Sequence, residues 1–233
     1  MSVLEKVKWN RLRTSLSFEE LVIYIKGNLY SEDLGYGYSS FSADENVLSA
    51  TYTELNKRIE ITTDPLGNEL EQEFIGYTSI NFSISKAARK LYLLTIFNPP
   101  KSIKFFTDRF CNDLNYKVGL SIMTINLKEL LDKMYLTKTL KLIGIKKAKI
   151  SSWTVSDDAK ASIEIISKKN ALTDLEMIVR NHTYSLDKIR VTAALENKKM
   201  DFEISKSGYL STSENHVKFL TDLIIEQLIK HEL

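Results

Sequence analysis

One cysteine, three histidines, three prolines and eight glycines are all that this 233-residue chain contains of those types, and each shortage removes a class of protein. A single thiol, Cys111, cannot form an internal disulfide. With His182, His216 and His231 as the only histidines, no zinc-type ligand set stands at useful spacing. So little proline and glycine leaves no segment that reads as a flexible or polyproline linker, so any domain boundary must be short. Long apolar runs are missing as well, and none approaches the roughly 20 residues that span a bilayer as a helix. The opening MSVLEKVKWNRLR lacks the apolar core of a signal peptide. A reducing cytoplasm without membrane contact is the expected setting, and neither metal nor cofactor is expected.

What is present is globular. Hydrophobic residues make up 43% and charged residues 27%, enough apolar material at this length to bury a substantial core. Lysine outnumbers arginine 25 to 7 beside abundant Ile and Asn, a bias that AT-rich coding sequence produces and that suggests a microbial origin. The net charge is only +2, but it is sorted along the chain. Residues 14–73 carry three bases against twelve acids, whereas residues 74–156 carry fourteen bases against four acids. One-sign surfaces concentrate partners of opposite charge, so this sorting bears on what the protein binds.

Ser17-Phe18-Glu19-Glu20 is a capping-box pattern and opens a short helix through Ile25, with Gly27 placed for a left-handed cap. From Val47 to Ile84 the period changes to two, and Asp64-Pro65-Leu66-Gly67-Asn68 marks a turn within an antiparallel meander. Leu91–Phe97 is nearly continuous apolar sequence, the mark of a strand buried on both faces. Asn98-Pro99-Pro100 stops it and can start a helix striped by Ile103, Phe106 and Phe110. A strand from Val118, a helix capped by Asn126 and a strand over 140–155 follow, which suggests a βαβ element. The last third reads as a strand, a short helix, a hairpin about Glu196-Asn197-Lys198-Lys199, and a terminal helix presenting Val217, Leu220, Ile224 and Leu228. The expected fold class is α+β: an antiparallel meander, a βαβ-containing mixed middle, and a C-terminal hairpin plus amphipathic helix. A soft boundary between about 135 and 157 would divide the chain into 1–135 and 136–233, and a single domain is the other reading.

The basic middle is the main functional signal. No acid occurs from Phe74 to Thr107, which holds Lys86, Arg89, Lys90, Lys101 and Lys104, nor from Lys133 to Ser156, which holds Lys138, Lys141, Lys146, Lys147 and Lys149. Tyr77, Phe82, Tyr92, Phe97, Phe105 and Phe106 interleave, and bases beside ring faces suit phosphate and nucleobase contacts. The competing reading places those aromatics in the core and the lysines on a solvated face. Lys101 and Lys104 at a helix start would add an anion-attracting end, unless Asn98-Pro99-Pro100 is only a stop. The candidate nucleic-acid residues are thus Lys86, Arg89, Lys90, Lys101, Lys104, Lys141, Lys146, Lys147 and Lys149.

Signals for catalysis are thin. No glycine-lysine phosphate loop occurs, and Gly35-Tyr36-Gly37 lacks the rest of a dinucleotide fingerprint. Glu196-Asn197-Lys198, with Asp174 or Asp187, formally fits a metal-dependent nuclease, yet it falls at a hairpin turn rather than on a central strand. Cys111 and His182 could pair as nucleophile and base only if the fold joined them. The sequence therefore points to a non-enzymatic binding or adaptor protein. Two partner classes stay open: nucleic acid through the basic middle, or a protein partner or second copy, for example in a host–phage conflict system.

Overall fold

The computed structural model describes residues 4–156, 158–180 and 183–231. In chain order it contains β1 (Leu4–Thr14), α1 (Phe18–Gly27), β2 (Tyr36–Ala43), β3 (Val47–Thr63), β4 (Glu69–Ala88), β5 (Leu91–Phe97), α2 (Lys104–Asp113), β6 (Val118–Ile122), α3 (Leu127–Leu136) and β7 (Leu140–Ser156). Then come β8 (Ala159–Ile166), α4 (Ala171–Val179), β9 (Leu186–Leu195), β10 (Lys198–Ser205), β11 (Tyr209–Ser213) and α5 (Glu214–Lys230). Among the described residues the strands join into one eleven-stranded sheet of order β2-β3-β4-β5-β1-β11-β10-β9-β7-β8, with β6 also beside β1. This is the α+β class read from the sequence, with its meander, its hairpin and its terminal helix. The βαβ element is present in split form, because β5 and β6 run the same way on opposite sides of β1 and each pairs with it antiparallel.

β1 organises the sheet. Along one side it pairs with β5 from Val7 to Arg13; along the other it pairs with β11 over Leu4–Lys8 and with β6 over Asn10–Thr14. The change of partner falls at Gly208, whose carbonyl accepts the Trp9 N–H at 2.8 Å. Gly208 has φ +83°, and a Cβ there would stand 2.8 Å from the Trp9 carbonyl oxygen, so only glycine fits.

Successive residues of a strand face opposite sides, and the two sides of β1 and β5 enter different cores. Val7, Trp9, Leu91 and Leu93 join the core under α3, α4 and α5, whereas Leu12, Tyr92, Leu94 and Ile96 join the core under α1 and α2. The two helical layers therefore cover opposite faces of the sheet, one over the N-terminal strands and one over the C-terminal strands. The run Leu91–Phe97 is apolar but for Thr95 and the Tyr92 hydroxyl because it lies where the layers overlap.

Local signals account for most element ends. The Ser17 hydroxyl accepts the Glu20 N–H at 3.2 Å and the Glu20 carboxylate accepts the Ser17 N–H at 2.7 Å. Asn126 caps α3 by accepting the Glu129 N–H. Gly27 stays within α1, and its C-cap is Asn28 at φ −120°, so the left-handed glycine cap expected there does not form. Beyond the sheet, β3 and β4 continue as a two-stranded arm to the Asp64–Asn68 turn, with the register unbroken from Val47–Ser85 to Thr63–Glu69. Ile59, Ile61, Ile75 and Tyr77 are exposed along one side of this arm. No helix among the described residues is long and apolar enough to cross a membrane.

Candidate functional site

Since the helices over β9–β11 lie on one side only, the other side of the C-terminal half is left open, and strand register assigns its residues. Leu210, Ile204, Phe202, Val191 and Ile189 point into the core. Their alternates form the open face: Lys6 opposite Ser211, Lys8 opposite Tyr209, Glu203 opposite Ser211 and Arg190, and Lys188 opposite Ser205. β7 adds Lys147 opposite Arg190, Lys149 opposite Lys188, and Lys141 opposite Ala194. Lys199 and Asp201 of β10 and Glu164 of β8 stand on the same side. These eight bases face three acids, and the helices that meet these strands, α3, α4 and α5, pack through the opposite, core side.

The face has a groove of about 480 Å³ lined by Lys6, Pro99, Lys188, Glu203, Tyr209 and Ser211. Tyr209 is 54% exposed, with the Lys8 ammonium 4.0 Å from its ring centroid. Lys8 donates to the Ser207 carbonyl, and burial lowers its pKa from the ordinary lysine value. Glu203 holds Lys188 at 3.2 Å and Arg190 at 3.0 Å. Burial would raise the Glu203 pKa, but the two cations outweigh it and leave the carboxyl below its usual range. Lys147 pairs with Glu164 at 2.9 Å and Lys199 with Asp201 at 2.8 Å. Lys6, Lys141 and Lys149 have no acid partner among the described residues. An open sheet with free ammonium groups and one exposed ring can neutralise phosphates and stack a base.

The residues expected from sequence are divided by the fold. Lys141, Lys147 and Lys149 stand on the open face. Lys101 and Lys104 are exposed just past Pro99, which itself lines the groove, and α2 starts at Lys104 rather than at Pro100. Lys146 sits at a register shift in β7 and donates to the Lys168 carbonyl at 2.9 Å, which takes it out of the row. Arg89 and Lys90 form the β4–β5 turn against Thr14, with Lys86 just before it. That is the far end of β1 from Lys6, about 27 Å away at about 3.4 Å per residue. The interleaved aromatics are mostly core: Phe82, Tyr92 and Phe106 are buried, and only Tyr77 is well exposed, out on the arm. Sequence reasoning missed Lys6, Lys8, Lys188, Arg190 and Tyr209. The usable signal was alternation, since Lys6 and Lys8 flank Val7, and Lys188 and Arg190 flank Ile189.

The catalytic candidates remain dispersed. Glu196 and Asn197 have φ +49° and +65° and make the tight β9–β10 turn. Asp187 lies at the opposite end of β9, about 30 Å off at about 3.4 Å per residue, and Asp174 is on α4. Among the described residues no three acidic, histidine or cysteine side chains could hold a metal ion. Cys111 is half-buried with its pKa raised by burial, and His182 lies outside the described residues. The His216 ring meets the Ser213 hydroxyl at 2.6 Å, and the His231 ring meets Glu129 at 3.2 Å, at opposite ends of α5.

Against known proteins, no family model matches the chain and no curated protein sequence matches it.

Proposed function

We propose that this chain is a binding protein without chemistry of its own, whose open sheet face takes a single-stranded nucleic acid or a comparable flexible polyanion. The observation that carries the reading is the uncovered face on which eight bases outnumber three acids, with the exposed ring of Tyr209 in one row with Lys8, Lys188 and Lys149. A single strand suits it better than a duplex, because a sheet offers a ring to an unstacked base and has no element shaped for a groove. The test is fluorescence anisotropy with labelled single-stranded and duplex DNA and RNA over a salt series. Binding should favour single strands and weaken steeply with salt; no binding at low salt would refute the reading.

The arm favours a second reading, association between copies. It carries Glu60, Asp64, Glu69, Glu71 and Glu73 against Lys57 and Arg58, which pair with Glu73 and Glu60, beside its exposed Ile59, Ile61, Ile75 and Tyr77, so its surplus of acid complements the basic face. Light scattering distinguishes the two: under this reading the chain self-associates at low salt, and Ile59→Lys returns it to monomer.

A further inference from the structure

On the opposite face of the sheet from the basic surface, the first turns of α5 roof a cavity of about 430 Å³ over β4 and β5. Its floor is made of hydroxyls. Ser83, Ser85 and Thr95 are all buried there, on the side of β4 and β5 that alternates away from the aromatic core. Thr95 is 1% exposed, and its Oγ1 has no hydrogen-bond partner; the Thr221 hydroxyl, which reaches the same cavity from α5, has none either. A valine would fill the Thr95 site equally well, so packing alone gives no reason for a buried hydroxyl that bonds nothing.

The rim is acidic. Glu5, Asp44, Glu214 and Asp222 line the cavity, against one base, Lys218, whose side chain is 89% exposed and lies 3.4 Å from Asp222. Asp44 is fixed in place, since its Oδ1 accepts the N–H groups of Asn46 and Val47 at 2.9 and 2.8 Å. These carboxylates are spread round the mouth, and among the described residues no cluster is tight enough for a metal ion. Val47, Phe97 and Val217 supply apolar wall between them. Spaced carboxylates, an apolar wall and buried hydroxyl acceptors match spaced ammonium groups on a methylene chain.

We infer that this cavity is a binding site for a free linear polyamine, with an ammonium group seated on the Thr95 hydroxyl and the others on the acidic rim. Calorimetry on the full chain with spermidine and putrescine tests it, comparing wild type with Thr95→Val, Asp222→Asn and, as a remote acid on the arm, Glu71→Gln. Spermidine should bind one to one. Thr95→Val should weaken it at least about tenfold, the worth of a hydrogen bond to a charged donor, without lowering the melting temperature. Asp222→Asn, at an exposed site the fold tolerates, should also weaken it, while Glu71→Gln should not. No binding at millimolar spermidine would overturn the inference. So would equal losses in all three variants, which would mean diffuse attraction to surface acids. Binding of a lysine-rich peptide but not of spermidine would likewise overturn it, assigning the cavity to a partner's side chains.

Discussion

Tyr209 and Lys149 separate the two contributions on which the basic face depends, ring stacking and phosphate neutralisation. Tyr209 is 54% exposed and, among the described residues, its ring meets Lys8 alone of the cations, so Tyr209→Ala removes little from the fold beyond a cation–π contact of about 0.5–1 kcal/mol. Base stacking on a ring contributes about 1–3 kcal/mol, so the variant should bind a single strand about 5- to 150-fold more weakly. Its salt slope should stay unchanged, because no charge is lost. Lys149→Ala should do the reverse. If only the three bases without acid partners, Lys6, Lys141 and Lys149, meet phosphates, the slope of log K against log salt is about −2.1, and a fourfold rise in salt weakens binding about 18-fold. Removing Lys149 brings the slope to about −1.4 and that loss to about 7-fold. Arg89→Ala, at the far end of β1, should change neither quantity. Anisotropy titrations at several salt concentrations read both. Unchanged affinity in Tyr209→Ala, or a slope altered equally by Arg89→Ala and Lys149→Ala, would refute the assignment of the site to this face.

Three further outcomes concern the fold. Leu220 is 1% exposed under α5, so Leu220→Ala should cost about 2–5 kcal/mol and lower the melting temperature by several degrees; an unchanged transition would mean that α5 does not pack as described. Gly208→Ala puts a Cβ against the Trp9 carbonyl at a positive φ, and should destabilise the chain more than Gly27→Ala, whose Cβ meets nothing within 4 Å; thermal melts of the two variants compare them directly. Glu203 has a folded pKa below its unfolded one, so its contribution is present above the unfolded glutamate value of about 4.3 and is lost as pH falls through the folded value. Glu203→Gln should therefore melt lower than wild type at pH 7, with the gap closing below about pH 4; a gap constant to pH 3 would show that the cations do not hold this carboxylate.

Much of the architecture is legible in the residues themselves, because caps, turns and alternation act over a few positions. Ser17 and Glu20 close a capping box whatever lies beyond them, Asn98-Pro99-Pro100 ends β5, and LYLLTIF has no polar side to offer solvent. The same locality explains why the site was harder to read. Charge was legible as a run along the chain, but a strand sends neighbours to opposite faces, and a register shift can reverse the assignment. Lys146, Lys147 and Lys149 therefore part company, one bonding the Lys168 carbonyl and two joining the open face.

By itself the sequence determined the α+β class, the apolar sides of its strands and helices, and a basic surplus in its middle third. Only the tertiary structure decided which sheet faces stay uncovered. That brought Lys6 and Lys8 from the first strand beside Lys188, Arg190 and Tyr209, and left the Thr95 hydroxyl without a partner beneath an acidic rim. The physical reason is that alternation gives each strand two sides, but whether a side meets a helix or solvent depends on contacts between segments far apart in the chain.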